Sequence, residues 1–126
     1  MSGKQYKVIL QQLGLIVLVI VIGTIFDWIA HQASPRFGVP REYFSNKVLF
    51  GSLIGFVAFR LFRRHLKKPT HQALAVSFIV AVLLQTRYYL EGYDLFFVFL
   101  FMGIHFVAFL VPALFIFKRF KRIFSA

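Results

Sequence analysis

An aspartate and a histidine, Asp27 and His31, lie one helical turn apart at the end of a long apolar run. Together with Gly23 they recur at every fourth position, which places all three residues on one face of a helix. An imidazole titrates near neutral pH, and a carboxylate beside it can share its proton or help it to bind a cation. Because ionisable groups are costly at membrane depth, this pair is the first candidate for a functional site.

Three further polar side chains extend this candidate site. Gln85 ends a run of regularly spaced small residues, and Arg87 follows it as a candidate partner for Asp27 or Asp94. His105 is the only ionisable residue in the last apolar stretch, about 15 Å from the outer end of its helix by helical rise. The predicted ligand or proton site therefore consists of Asp27, His31, Gln85, Arg87 and His105.

The same residues also have a purely structural interpretation. Asp27 can pair with His31 or with a nearby arginine as a contact between helices. His105 can hydrogen-bond to Gln85 or Ser52 across the bundle, a contact worth about 1 kcal/mol. Residue types and spacing leave both interpretations open.

Metal binding is a third interpretation. Asp27, His31 and Asp94 form a candidate site for a divalent metal near the outer surface, because imidazole and carboxylate ligands suit zinc and iron. By helical rise His31 and His105 differ in depth by roughly 12–15 Å, which argues against a haem held by both. The chain has no cysteine, which excludes thiolate-bound metal centres and disulfides.

Composition predicts the fold class. The chain has 126 residues, of which 60% are hydrophobic and only 15% are charged. A soluble domain of this size cannot bury so much apolar surface, whereas runs of about 20 apolar residues are typical of transmembrane helices. We predict an all-α, polytopic membrane protein, a single domain over 1–126 that folds as a four-transmembrane-helix bundle, with helices at about 8–31, 40–63, 72–90 and 94–117.

The charges predict the orientation of this bundle. Basic residues without acidic neighbours lie before the first span, between the second and third, and after the last, while all four acids lie at the alternate ends of the spans. This asymmetry predicts cytoplasmic N- and C-termini, in a cell inner or plasma membrane. The basic segment Arg60–Lys68 should attract anionic lipid. No nucleic-acid partner is expected despite the net charge of +11, since no recognition module accompanies the charge.

Small residues mark two faces that should pack closely. Gly51 and Gly55 form one such face on the second span, and Ala73, Ser77 and Ala81 form another on the third. Small side chains let helix backbones approach each other, which is the main packing device in lipid. These faces are expected to pack within the bundle or to join two copies as a homodimer.

Residues in the loops predict where helices begin. Thr70 should cap the third span and Asp94 the fourth, with Gly92 forming the turn between these spans. The segment Pro40–Lys47 should form an interfacial start to the second span, and its polar side chains Arg41, Glu42, Asn46 and Lys47 could cover the Asp27 site or simply end a helix at the membrane surface.

These features suit three classes of function. The first is a small membrane protein with a polar pocket in its external half, open to the outside and floored by His105, that binds or transports a small polar solute or cation, with proton coupling as a candidate mechanism. The second is a structural or assembly subunit, or a membrane anchor, of a larger complex. The third, a metal-dependent membrane enzyme, is the least favoured because the chain carries no recognised catalytic motif. The surplus of polar groups over what packing needs favours the first class, in a homo-oligomer or a membrane complex.

Overall fold

The computed structural model describes residues 1–126 as an all-helical chain without strands. The α-helices are α1 (Gly3–His31), α2 (Glu42–Phe62), α3 (Pro69–Leu90), α4 (Leu95–Arg119) and the short α5 (Lys121–Phe124), with a 3-10 helix at Pro35–Phe37. The first four are long and apolar enough to cross a membrane. This confirms the predicted all-α class and the four helices of membrane-spanning length.

The four long helices form a bundle in which each packs against its two neighbours in a ring. α1 contacts α2 and α4, and α3 contacts the same two helices from the opposite corner. The N-terminus, the loop 63–68 and α5 lie at one end of the bundle, which we call the termini end. The loops 32–41 and 91–94 lie at the other, which we call the distal end.

Helix starts follow local chemistry. α1 begins at Gly3, earlier than the predicted 8, because Ser2 and Gln5 form a capping box in which each side chain bonds to the other's backbone. Asp94 caps α4 as predicted, since its Oδ1 accepts from the backbone N–H of Phe97 at 2.8 Å. Gly92 has the positive φ of 87° that the predicted turn between α3 and α4 requires.

Thr70 does not cap α3. The helix begins at Pro69, one residue before Thr70, and Lys68 occupies the cap position without a side-chain hydrogen bond. Proline is favoured at the first helical position because its φ is already helical and its missing N–H is not needed there. Pro69 therefore starts the helix, and Thr70 lies inside its first turn.

The small residues on α2 are in contact with the other helices of the same chain. A Cβ on Gly51 would lie 3.1 Å from the side chain of Ile20, and one on Gly55 would lie 3.2 Å from that of Ile16. On α3 the small face is equally covered, with Ala73, Ser77 and Ala81 all buried. Neither face is free to join two copies, so a homodimer built on them does not fit this packing.

Gly23 marks a close approach that the sequence had not indicated. A Cβ at this position would overlap the ring of Phe109 and lie 3.0 Å from the carbonyl oxygen of Ala108. The absence of a side chain thus allows α1 to cross α4 at short range. This crossing lies one turn from Asp27 toward the termini end, and it brings Asp27 against α4.

Buried apolar residues form two clusters. The larger fills the termini half and includes Ile16, Ile20, Val80, Phe109 and Phe117. The smaller, at the distal end, contains Tyr88, Phe97, Val98 and Phe101. Large apolar side chains also cover the outside of the bundle, as expected for a membrane protein, among them Phe26, Trp28, Leu53, Phe99 and Phe115.

The termini end is closed by the C-terminal segment. Phe124 of α5 is buried against Phe59 and Phe117. Gln12 donates from Nε2 to the carbonyl oxygen of Ile123 at 2.8 Å and accepts from Arg60 at 3.1 Å. These bonds satisfy a buried amide and tie α5 to α1 and α2.

Candidate functional site

Four ionisable side chains meet between the two apolar clusters, and we call them the buried polar cluster. Asp27 lies at its centre with 0% of its surface exposed. Its Oδ2 pairs with Nζ of Lys47, while its Oδ1 lies 3.5 Å from Nε2 of His31 and 3.2 Å from Nε2 of His105. The three partners come from α1, α2 and α4, so the site depends on the packed bundle and not on one helix.

Both imidazoles are oriented by backbone carbonyls. Nδ1 of His31 lies 2.6 Å from the carbonyl oxygen of Phe37, and Nδ1 of His105 lies 2.6 Å from that of Phe101. A carbonyl oxygen can only accept, so each Nδ1 carries a hydrogen. The two Nε2 atoms are thereby directed at the carboxylate of Asp27.

Lys47 connects the carboxylate to one of these imidazoles. Its Nζ also lies 3.3 Å from Nε2 of His31, which can accept a hydrogen from the ammonium. The same ammonium lies 5.1 Å from the ring centre of Phe44 and 5.2 Å from that of Tyr88. Lys47 is therefore a cation held inside the bundle by one carboxylate, one imidazole and two aromatic faces.

The predicted difference in depth between the two histidines is wrong. The ring centres of His31 and His105 are only 6.4 Å apart, and the ring of His31 stacks on that of Phe101 at 4.1 Å. Phe101 lies about 9 Å along α4 from its start at Leu95. Because His31, the last residue of α1, stacks on Phe101, α1 ends well short of the distal end of α4. Asp27 is therefore level with His105 and not near the outer surface.

Two of the predicted ionisable site residues, Arg87 and Asp94, lie outside the cluster. Arg87 bonds to Glu91 through Nε at 2.9 Å and stacks over the ring of Tyr43 at 4.2 Å, so it pairs with neither predicted aspartate. Asp94 is occupied in capping α4 at Phe97 and does not join a metal site. In both cases a local partner within one turn is closer than the distant one that the sequence suggested.

The histidine that replaces Asp94 in the candidate metal site is His105. The ligand atoms of Asp27, His31 and His105 all lie within 4.8 Å of one another, and all three residues are buried. The structure thus brings together three residues that the sequence analysis had singled out. The stagger between α1 and α4 explains why the sequence did not group His105 with Asp27 and His31 in one metal site.

Lys47 was not among the predicted site residues. It had been placed in an interfacial segment that could cover the site, yet it is 96% buried and forms part of it. A signal for this position exists in the sequence. Lys47 lies four and eight residues before Gly51 and Gly55, so it shares the face that packs into the bundle.

Several polar atoms near the cluster are buried without a hydrogen-bond partner. In the distal half they are Thr24 Oγ1, Asp27 Oδ1, Ser52 Oγ, Tyr88 OH, His105 Nε2 and both amide atoms of Gln85. Thr24 lies one turn before Asp27 in α1. Ser52 and Gln85 are the residues that directly follow Gly51 and Leu84, which contact each other between α2 and α3. Buried polar groups are nearly always paired, so this concentration of unpaired atoms indicates a place for water or a ligand.

The cluster is enclosed at the distal end, and no open cavity floored by His105 is present. The ring of His31 is bordered by Phe44, Phe97 and Phe101. Tyr93 extends this aromatic cover, and burial, aided by the Glu91 carboxylate, raises the pKa of its hydroxyl above the ordinary value. The cover is therefore neutral at physiological pH.

A crevice between α2 and α3 reaches the cluster from the side. Its volume is about 200 Å³, and Asn46, Lys47, Arg87 and Tyr88 provide its polar lining. Lys47 belongs to the buried polar cluster and lies over the ring of Tyr88, so the crevice adjoins the cluster at these two side chains. The crevice therefore offers an approach to the Asp27 carboxylate from outside the bundle.

The geometry defines a helical bundle with a buried site of two imidazoles, a carboxylate and an ammonium. The chain matches no protein-family model, no curated protein and no solved structure.

Proposed function

We propose that this chain is an integral membrane protein that binds a small cation or polar solute at the buried polar cluster and carries it across the bilayer. The observation that carries the proposal is the direct contact of four buried ionisable groups inside an apolar bundle. Such burial is costly, and apolar side chains of similar volume would hold the helices together at least as well. Binding a charged or polar solute gives these groups a role that packing does not.

The unpaired polar atoms support the same proposal. The hydroxyls of Thr24, Ser52 and Tyr88 and the amide of Gln85 offer both donors and acceptors within the distal half. A solute that leaves water must replace its lost hydrogen bonds, and these groups can supply them. The proposed binding region therefore includes Gln85 with Asp27, His31 and His105, while Arg87 stands at the crevice.

Orientation and proton exchange complete the proposal. With both termini cytoplasmic, the buried polar cluster and the crevice beside Lys47 both lie in the external half of the bundle. A cation entering the cluster would compete with protons for the same lone pairs, which couples the two movements. The apolar cluster around Phe109 blocks the way to the cytoplasm, so transport requires the helices to rearrange.

Anionic lipid is the partner that we propose at the termini end. A hollow of about 330 Å³ lies there between the start of α1 and the end of α2. Lys4, Arg60 and Arg63 line it beside the apolar Val8 and Ile9. Basic groups next to apolar surface suit a phospholipid headgroup and the start of its chains.

Ion flux into liposomes tests the transport proposal. The purified protein is reconstituted into vesicles that contain a pH-sensitive dye, and sodium, potassium, magnesium, manganese, zinc and guanidinium chlorides are added outside one at a time. We expect at least one cation to change the internal pH with the wild-type protein. The Asp27→Asn variant should lose this change, because its amide cannot balance a cation.

A matched variant separates the buried carboxylate from charge in general. Glu42→Gln makes the same chemical change at an exposed position and should leave the flux unchanged. Transport is contradicted if no cation moves the internal pH above protein-free vesicles, or if Asp27→Asn supports the same flux as wild type. Co-purification of the inactive protein with another membrane protein would instead favour the assembly class.

A further inference from the structure

At the centre of the buried polar cluster, a carboxylate oxygen and an imidazole nitrogen face each other without a hydrogen bond. Oδ1 of Asp27 can only accept hydrogen bonds, and Nε2 of His105 faces it at 3.2 Å without forming a hydrogen bond. Both atoms are fully buried and neither has a hydrogen-bond partner. With its hydrogen on Nδ1 toward the Phe101 carbonyl, a neutral His105 presents a lone pair at Nε2, and two lone pairs at this distance repel each other unless something positive lies between them.

The second imidazole points at the same place. Nε2 of His31 lies 3.5 Å from Oδ1 of Asp27 and 3.3 Å from Nζ of Lys47. Because each histidine uses its Nδ1 hydrogen on a backbone carbonyl, both imidazoles can present the bare Nε2 that metal coordination requires. A carbonyl that fixes the tautomer in this way is the usual outer partner of a metal-binding histidine.

We propose that Asp27, His31 and His105 bind one divalent transition-metal ion of the zinc class, and that Lys47 is the built-in cation that occupies this site without metal. The proposal rests on the cation-binding function proposed above and names its ion. Ligands about 2.0–2.1 Å from a zinc ion lie about 3.3 Å from one another. Here Oδ1 of Asp27 lies 3.5 and 3.2 Å from the two Nε2 atoms, and all three ligand atoms lie within 4.8 Å of one another. Two imidazole nitrogens favour zinc, iron or cobalt over magnesium and calcium.

Lys47 gives the site a competing charge. Its ammonium holds Oδ2 of Asp27 and must be displaced, or share the carboxylate, when a divalent ion arrives. The crevice of about 200 Å³ that Lys47 lines offers space into which the flexible side chain can withdraw. The metal ion and the Lys47 ammonium should therefore compete for the Asp27 carboxylate. Removing the lysine should strengthen metal binding.

Cobalt binding to the purified, chelator-stripped protein tests this site. Co²⁺ is added to the protein in detergent, because its visible absorption reports the number and type of ligands, and Zn²⁺ is then used to displace it. We expect one Co²⁺ per chain with the bands of a nitrogen- and oxygen-bound ion. His31→Gln and His105→Gln should each weaken binding by about 100-fold or more.

Two further variants test whether the changes in metal binding come from loss of folding or from histidines outside the site. Lys47→Met should bind Co²⁺ at least 10-fold more tightly than wild type, a gain that loss of folding cannot produce. The double variant His65→Gln, His71→Gln removes the histidines outside the distal half, both of them exposed, and should bind the metal as wild type does. Binding that survives loss of both His31 and His105, or that weakens in Lys47→Met, overturns the proposal.

The outcomes also separate this inference from the transport proposal. If no metal binds but another cation drives an Asp27-dependent flux, the metal assignment fails and the transport function stands. If Co²⁺ binds through His31 and His105 while no cation moves in vesicles, the metal site stands and transport fails.

Discussion

Asp27 and Lys47 form a buried ion pair in which neither charge has access to bulk water. Removing one partner leaves the other as an uncompensated charge, which costs about 3–5 kcal/mol. We expect Lys47→Met and Asp27→Asn each to lower the free energy of unfolding in detergent by about 3 kcal/mol. The double variant should recover most of this loss, because neither charge is then left alone.

A complete double-mutant cycle measures this coupling. Chelator is present throughout, so that a metal ion cannot replace the missing lysine. Additive losses in the double variant would mean that the two side chains are stabilised independently, against the contact seen here.

Gln85 gives a second prediction at a single residue, because its buried amide has no hydrogen-bond partner. Replacing it with methionine keeps the volume and removes an unpaired polar group, so Gln85→Met should raise the free energy of unfolding by about 1 kcal/mol. If the amide contacts the solute, the same variant should reduce ion flux into liposomes. Ser77→Ala is the control, since Ser77 is also unpaired but lies beside the larger apolar cluster. It should gain stability without losing flux, and an equal loss in both variants would contradict a role for Gln85.

At the scale of the helices, the crossing of α1 and α4 positions Asp27 against His105. Gly23 allows this crossing, because a Cβ there would overlap Phe109 and approach the backbone of Ala108. Gly23→Ala should therefore destabilise the protein by about 1–3 kcal/mol through overpacking. It should also weaken Co²⁺ binding, because the distance from Asp27 to His105 depends on this approach.

Gly103→Ala is the matched control for the crossing. Gly103 also lies within a long helix, but a Cβ on it would meet nothing within 4 Å. This variant should be neutral or slightly stabilising, since alanine is the better helix former. Equal effects of the two substitutions in thermal unfolding would show that α1 and α4 do not depend on close contact at Gly23.

The sequence predicts the four long helices much better than their relative positions along the axis of the bundle. Apolar runs of about 20 residues identify membrane-spanning helices almost unaided, which is why four of them were expected. The stagger of α1 against α4 depends on the path of residues 32–41 and on the contact at Gly23, and neither has a periodic signature. His31 and His105 were therefore recognised as functional candidates but not as neighbours.

Lys47 and Arg87 show the same limit for side chains. Lys47 was predicted to cover the site and Arg87 to pair with Asp27 or Asp94. Instead, Lys47 is buried against the carboxylate of Asp27, and Arg87 pairs with Glu91 one turn further along its own helix. Which of these happens depends on helix rotation, and the face shared by Lys47, Gly51 and Gly55 was the only available indication. Local caps such as Asp94 were predictable because their partners lie within one turn.

At the scale of the molecule, the proposed function depends on which end of the bundle faces outward. The acid-free basic segments all lie at the termini end, and the positive-inside rule predicts that this end is cytoplasmic. Because the chain has no cysteine, single cysteines can be labelled without background. In intact cells of the expression host, a membrane-impermeant maleimide should label Ala33→Cys, whereas His65→Cys and Ser125→Cys should react only after permeabilisation. The opposite pattern would place the buried polar cluster in the cytoplasmic half and would make the crevice beside Lys47 an entrance from inside the cell.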